Sequence, residues 1–426
     1  MEPYQVDFSY TPEQLELKER LNKFAREEIR PVALKHDKEQ SVPWDVMKAA
    51  ARENIATLDF MMKLGEDPQG MYSVIFAEEL HWGCAGIALS IAGSGLAAAG
   101  IAASGTGEQI AQWVPLCFAQ GEELHLGAYA VTEPSAGSDV KSLRTTAKLD
   151  GDEWVLNGTK VFITNGGIAD VTVVVASVDP ELGTRGQASF IVPKDTPGFS
   201  QGKKEDKLGI RASQTTEIVL ENCRVPMEYL LGGKDKLDNK LEKARSGQKT
   251  GSANALATFE MTRPFVAASA VGIARAAYEF TVEYLMDKKI DGKPALENPG
   301  MHQMIADIAL EIDAARLLTQ RASWMARNGI PLMGGQGSMS KLKAGDVAVW
   351  ATAKCMDLIG PDSWSTELPL EKWYRDAKIY QIFEGTSQIQ RMVVGRLQVG
   401  EFKTRLAAAQ AEHAEASGQQ AEPVPA

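Results

Sequence analysis

The hydrophobic period changes twice along this chain, and that alternation limits its fold more than any other feature. From about Thr11 to Gly121 apolar residues recur at helical spacing. Thr11-Pro12-Glu13-Gln14 offers an N-cap, a proline at N1 and a glutamine at N3, and Leu15, Leu17, Leu21 and Phe24 follow. Between about His125 and Gly232 the pattern becomes short β-branched or aromatic runs divided by turn residues. Trp154-Val155-Leu156 follows Asp150-Gly151, and Val161-Phe162-Ile163-Thr164 follows Asn157-Gly158. Further runs lie at Val171 to Ala176, Phe190-Ile191-Val192 and Ile218-Val219-Leu220. Helical spacing returns from about Asn254 to Gly400, with Ile305, Ile308, Ile312 and Ala315 on one face and Asp307, Glu311 and Arg316 elsewhere. The expected class is α+β: a helical N-terminal domain (1–124), a compact antiparallel β-domain (125–232) and a C-terminal four-helix bundle (254–403).

Two segments stand outside this scheme. Gly233 to Gly251, GKDKLDNKLEKARSGQKTG, is polar and lysine-rich and reads as an exposed insertion, linker or mobile loop over about 233–253. The end, 404–426, is rich in Ala, Gln, Glu and Pro and reads as a flexible tail.

A chain of 426 residues accommodates about two or three structural units. With 44% hydrophobic and 24% charged residues it has the composition of an ordinary globular protein. The net charge of -11 argues against a general nucleic-acid surface, so an anionic ligand needs a locally basic site. Cys84, Cys117, Cys223 and Cys355 lie far apart with no CxxC, which argues against a zinc site or redox pair and for reduced, packed thiols. The N-terminus lacks a signal-peptide pattern, and Ile87 to Ser104 is broken by Ser and Gly, so the expected location is cytoplasmic with no membrane span.

Four stretches could carry chemistry. Gly93-Ser94-Gly95-Leu96-Ala97-Ala98 matches a GxGxxA dinucleotide fingerprint but lies in helical sequence without a βαβ unit, so a close-packed helix is the better reading. Ala128-Tyr-Ala-Val-Thr-Glu-Pro-Ser-Ala-Gly-Ser-Asp139 runs from a strand into a polar loop whose amides and Thr132 and Ser138 hydroxyls can face a flat polar ligand; by residue type alone it is as readily a plain turn. Val161-Phe-Ile-Thr-Asn-Gly-Gly167 ends in a turn that admits positive φ. Finally, Ala377-Lys-Ile-Tyr-Gln-Ile-Phe-Glu384-Gly-Thr-Ser-Gln-Ile-Gln-Arg391 sets a carboxylate among apolar residues. Desolvation there would raise its pKa and suit it to carbon-acid chemistry, although a helix-starting Glu is the simpler local reading.

AVTEPSAGSDVKS, VFITNG and RDAKIYQIFEGTSQIQR, in this order, resemble the signatures of the acyl-CoA dehydrogenases, and the resemblance extends over nearly the whole chain. It implies the same helix, sheet and bundle order, with FAD between β-domain and bundle. It also implies dehydrogenation of an acyl-CoA thioester to the trans-2-enoyl thioester, with electrons passed to an electron-transfer flavoprotein. On this resemblance Glu384 is the base for the α-proton, and its backbone N–H polarises the thioester carbonyl. The match puts Tyr129, Val131, Thr132, Ser138, Phe162, Ile163 and Thr164 along the flavin, with Thr386 and Gln388 from the bundle. Phe162 stands where the family usually has Trp. Glu260 and Arg263, in FEMTRP, fall at positions near the CoA end of the substrate, and Ser138 and Gly385 also touch it.

The sequence departs from the family where homotetrameric members contact a neighbour's FAD. The usual E-R-x-x-F-G segment reads Asp287-Lys288-Lys289-Ile290-Asp291-Gly292, and the Q-x-x-G-G-x-G turn reads Asp357-Leu358-Ile359-Gly360-Pro361-Asp362-Ser363. Lys288 lacks the fork of Arg, Pro361 lacks an N–H, and the added acids repel a diphosphate. These changes leave open a homotetramer or an α2β2 assembly with a paralogous subunit. An acyl-CoA oxidase and a non-catalytic assembly subunit are the rival readings; the first usually carries an extra C-terminal bundle, and the presence of Glu384 weighs against the second.

Overall fold

The computed structural model describes residues 9–248, 253–290 and 292–417. The N-terminal layer contains α1 (Pro12–Phe24), α2 (Arg30–Glu39), α3 (Trp44–Arg52), α4 (Leu58–Leu64), α5 (Met71–Gly83), α6 (Ala85–Ala92), α7 (Gly95–Ser104) and α8 (Gly107–Trp113). The start of α1 is the expected capping box: Thr11 Oγ1 accepts from the Gln14 N–H, and the Gln14 side chain accepts from the Thr11 N–H. The dinucleotide-like glycines Gly93 and Gly95 lie at the α6–α7 junction, as the helical reading requires.

The middle sheet contains β1 (Gly127–Ala130), β2 (Thr146–Asp150), β3 (Glu153–Thr164), β4 (Val171–Ser177), β5 (Gln187–Pro193), β6 (Phe199–Lys204) and β7 (Thr215–Pro226). Its order is β1-β4-β2-β3-β7-β6, with β5 also paired to β4. The expectation of a wholly antiparallel sheet is corrected here, because β1 pairs β4 in parallel from Gly127↔Val171 to Ala130↔Val174. Every residue of β4 is buried, consistent with a strand covered on both faces, whereas the long β3–β7 pair alternates more clearly. The β3–β7 ladder slips between Lys160 and Ile163, and the residues at that slip, Val161 and Phe162, turn out to matter for the site.

The segment expected to be a polar insertion forms α9 (Lys234–Arg245), with Leu237, Leu241 and Ala244 buried at i, i+4 and i+7. Lys240 Nζ donates to Gln187 O at 2.7 Å and Arg245 pairs with Asp179 at 2.8 Å, tying this helix to the sheet's outer loop. A three-residue apolar stripe suffices because the remaining positions are free to be charged. Residues 249–252 lie outside the described residues.

The bundle consists of α10 (Ala253–Met286), α11 (Pro299–Arg327), α12 (Gln336–Ile359) and α14 (Ser387–Ser417), with the short α13 (Leu370–Ala377) leading into the last helix; a small hairpin, β8 (Lys289–Ile290) and β9 (Lys293–Pro294), follows α10. Where a flexible tail was expected from residue 404, α14 continues to Ser417, since Ala, Gln and Glu are good helix formers; residues 418–426 lie outside the described residues. One continuous apolar core runs through all three layers, from Leu21 and Phe76 through Phe190 and Ile218 to Ala274 and Ala348. Between α5 and the bundle, Arg275 reaches Glu78 at 2.8 Å and Glu79 at 2.5 Å, while Arg316 reaches Glu78 at 3.0 Å, so these buried charges are mutually paired.

Two stretches, Ala85–Ser104 and Thr262–Met286, are long and apolar enough to cross a membrane, but 67% of each most apolar window is buried in the fold, as core helices are.

Candidate active site

The site forms where the end of the sheet meets the turn before α14. Residues 378–381 make one 3₁₀ turn after α13, and the chain then reverses through Glu384 and Gly385 at φ 54° and 89°. Two successive left-handed residues allow this reversal, and only the second is glycine, so Glu384 carries a backbone cost of order 1 kcal/mol. A side chain at Gly385 is excluded as well, since its Cβ would lie 2.4 Å from Gln390 Nε2.

The surrounding hydrogen bonds hold this reversal. Gln390 Nε2 donates to Glu384 O at 3.0 Å and to Gly385 O at 3.1 Å, and Lys341 Nζ on α12 donates to Gly385 O at 2.7 Å. The backbone hydrogen bonds among the described residues leave the Glu384 N–H unused. Glu384 Oε2 is shielded from solvent without a hydrogen-bond partner. Burial pushes the Glu384 carboxyl above the usual carboxylate range, and Arg263, Lys341 and a hydrogen bond from Thr262 only partly oppose that rise. A desolvated carboxylate of this kind accepts a proton more readily than one in water.

Arg263, expected near the CoA end of the substrate, is only 3% exposed; its Nη1 donates to Ser338 Oγ at 2.7 Å, and Nη2 lies 3.9 Å from the position of a Gly385 Cβ, so it borders the turn. Glu260 lies on α10 where side chains are outside the described residues.

The sheet contributes the other wall. Tyr129 on β1 packs beneath Gly100 of α7, where a Cβ would come within 2.6 Å of its Cε2 atom. Burial and the nearby Glu384 carboxylate push its phenol to about 12. The loop after β1 is bound to β3: Val161 N–H donates to Thr132 O at 2.9 Å, and Lys160 Nζ donates to Val131 O at 3.0 Å. Glu133 sits behind the loop, accepting from Lys160 Nζ at 2.7 Å and from the backbone N–H groups of Arg144 and Thr145 at 2.6 and 2.9 Å. At the β3 slip Phe162 adopts φ 58° and its ring is 64% exposed, while Ile163 is buried. Thr164 touches the α6–α7 junction, its Cγ2 lying 3.0 Å from a Cβ placed at Gly93. Phe162 presents an exposed aromatic face at the end of β3, and Tyr129 on β1 lies within electrostatic reach of the Glu384 carboxyl.

Tyr129, Val131, Thr132, Phe162, Ile163 and Thr164 thus converge on one end of the sheet. Ser138 is exposed in its loop. Thr386 and Gln388 line a cavity of about 280 Å³ on the bundle with Asp346, Lys378, Gln381 and Arg391. The departures expected to repel a diphosphate are internally paired: Asp362 lies 3.6 Å from Lys288 and accepts from Tyr284, and Asp357 lies 2.9 Å from Lys354. Asp291 is outside the described residues. Among the described residues no cluster of three metal-ligating side chains is present.

Sequence reasoning missed Lys341, Gln390, Thr262 and Ser338. A usable signal existed for one of them: Lys341 shares a helix face with Ser338, Ala344, Gly345 and Ala348, all buried, where a lysine is out of place unless it serves a buried acceptor.

Comparison with known proteins places these observations among relatives. Profiles described as acyl-CoA dehydrogenase N-terminal, middle and C-terminal domains match residues 11–122, 128–223 and 249–398. The chain is 36% identical over 390 residues to the probable acyl-CoA dehydrogenase FadE25 of Mycobacterium tuberculosis, covering 91% of this chain and 96% of that one. It is 37% identical over 381 residues to the mitochondrial short-chain specific acyl-CoA dehydrogenase of Rattus norvegicus, covering 89% and 88%. The solved structure of butyryl-CoA dehydrogenase from Megasphaera elsdenii superposes with a TM-score of 0.83 at 33% identity, covering 92% of this chain and all (100%) of that one.

Proposed function

The chain belongs to the acyl-CoA dehydrogenase family, an oxidoreductase family of flavin-dependent enzymes, and from that premise we propose that it oxidises an acyl-CoA thioester across its α,β bond with Glu384 as the base. The observation that carries this reading is the desolvated Glu384 carboxyl, its pKa raised by burial, on a turn held by Gln390 and Lys341 whose Glu384 N–H makes no backbone hydrogen bond among the described residues. The carboxylate takes the α-proton, and the free N–H is a donor for the thioester carbonyl on which negative charge develops. An amide donor in that role contributes about 3 to 4 kcal/mol.

FAD supplies the hydride acceptor for the β-hydrogen. Tyr129, Val131, Thr132, Phe162, Ile163 and Thr164 would hold its ring system, with Ser138 and the bundle residues Thr386 and Gln388 contributing elsewhere. The assembly in this reading is a tetramer, either of this chain alone or with a paralogous subunit. Pro361, which offers no N–H, favours an α2β2 assembly with a paralogous chain over a homotetramer, whereas the Lys288–Asp362 pair removes the charge objection to the latter. Electrons then pass to an electron-transfer flavoprotein. Gly385 and Ser138 lie on the substrate side in this reading. Glu260 and Arg263 are the candidates for the CoA end of the substrate, and Arg263 also borders the turn from within the bundle.

The test is the visible spectrum of the protein expressed alone, before and after a panel of acyl-CoA thioesters, with Glu384→Gln beside it. A yellow protein that bleaches with one thioester, while Glu384→Gln binds it without bleaching, is the expected result. Bleaching at the wild-type rate in Glu384→Gln would remove the base from the proposal. A colourless protein that turns yellow and bleaches only with a paralogous partner would select the α2β2 assembly.

A further inference from the structure

The charged groups beneath the Glu384 turn include one that this chemistry does not consume. Lys341 is 1% exposed in the interior of α12, and its Nζ donates to the carbonyl of Gly385, the residue immediately after the base. Burying an ammonium is costly unless it returns something, and a lysine seldom lies fully inside a helix face made of Ser338, Ala344, Gly345 and Ala348. Its ammonium donates to the second peptide of a left-handed reversal.

We propose that Lys341 is a positioning residue for the base: its ammonium fixes the Gly385 peptide and places a positive charge beside the Glu384 carboxylate. The inference rests on the reading of Glu384 as the proton acceptor. Without the Lys341 bond, Gln390 Nε2 alone bridges the two carbonyls, and the strained φ of Glu384 loses one of its two restraints. A carboxylate that must meet one face of a Cα–H bond tolerates little wandering, since a displacement of about 1 Å costs on the order of a hundredfold in rate.

The same contact links the site to pH. Burial draws the Lys341 ammonium down to about 8, with Glu384 opposing that shift, Arg263 adding to it and Asp346 opposing it. Among the groups facing Lys341, Arg263 donates to Ser338 Oγ, and Asp346 is committed to Arg391, Gln381 and Ser387. The charge of Lys341 is therefore present below about pH 8 and lost above it, and the activity of the Glu384 turn declines through that range.

The experiment is stopped-flow bleaching of the flavin-loaded enzyme, in its native assembly, by a thioester that the wild type oxidises. Lys341→Met and Lys341→Arg are followed across neutral and alkaline pH, with flavin content and thioester affinity measured for each. Lys341→Met is expected to retain flavin and bind thioester within about twofold of wild type while bleaching about tenfold to a hundredfold more slowly, without the alkaline decline. Lys341→Arg, which keeps a charge that does not titrate, is expected to recover part of the rate and to lose the decline near pH 8. Should Lys341→Met shed its flavin, Lys341→Arg decides: a wild-type alkaline limb there overturns the inference, and a limb moved upward supports it. Equal rates and equal pH profiles in wild type and Lys341→Met also overturn it. A wild type that bleaches with no thioester refutes the dehydrogenase reading itself, a separate outcome.

Discussion

The Lys160–Glu133 pair behind the β1 loop provides a sharp stability test. Lys160 on β3 is fully buried, and it donates to Val131 O and to Glu133, whose carboxylate also accepts two backbone N–H bonds from Arg144 and Thr145. Burial pulls the lysine pKa down. Burial also pushes Glu133 up, but the Lys160 hydrogen bond, Thr145 and the Arg144 amide outweigh it and hold the acid low. The intact pair is therefore close to break-even, whereas removing one member strands the other. Lys160→Met deletes two charge-assisted bonds and leaves Glu133 with its two amide donors, so the loss falls at the low end for a broken buried pair, about 3 kcal/mol. The double variant Lys160→Met/Glu133→Gln removes the stranded charge and should lose less than about 2 kcal/mol, a coupling readable in a double-mutant cycle. Urea unfolding followed by tryptophan fluorescence gives the energies, and flavin release gives the local consequence, because Val131 and Thr132 sit on the loop that Lys160 pins. A single variant within about 1 kcal/mol of wild type, or single and double variants equally destabilised, would refute the argument.

Two further outcomes follow from the same geometry. The Glu384 carboxyl has a folded pKa above its unfolded value, so its ionisation works against folding above the folded pKa and has no effect below the ordinary carboxylate range, where both states are protonated. Glu384→Gln should accordingly denature at higher urea than wild type at neutral pH, with the difference vanishing in acid; an equal midpoint at all pH values contradicts the desolvated carboxyl. Gly100→Val drives a side chain into the Tyr129 ring, where even a Cβ meets Cε2 at 2.6 Å, and should cost about 1 to 3 kcal/mol and lower the flavin-to-protein ratio. Unchanged melting and flavin content would show that α7 and β1 are not in that contact.

The three-layer order is written locally, in the period of the apolar residues, and so was readable from sequence. The start of α1 and the helical nature of Gly93 to Ala98 are also local matters of capping and neighbours. What was not readable depends on partners distant in the chain. The parallel pairing of β1 with β4 is a matter of which strands meet, and a strand pattern carries no address. Helix α9 was hidden because three apolar residues, Leu237, Leu241 and Ala244, were outnumbered by lysines and acids on its open face. At the site, the motif containing Glu384 was evident, but the residues that govern its carboxyl, Arg263 on α10 and Lys341 on α12, come from other helices and belong to types usually assigned to the surface. Lys160 was overlooked because its acceptors, Val131 and Glu133, lie in a separate segment of the chain.

Tyr129 and Glu384, which sense one another electrostatically, stand at positions 129 and 384 of a chain of 426 residues. In order of synthesis the sheet comes first, and α10, α11 and α12 are made between the end of β3 and the turn that carries the proposed base. A polypeptide stopped before that turn has strands to fold but lacks the carboxylate to which the proposed chemistry is assigned.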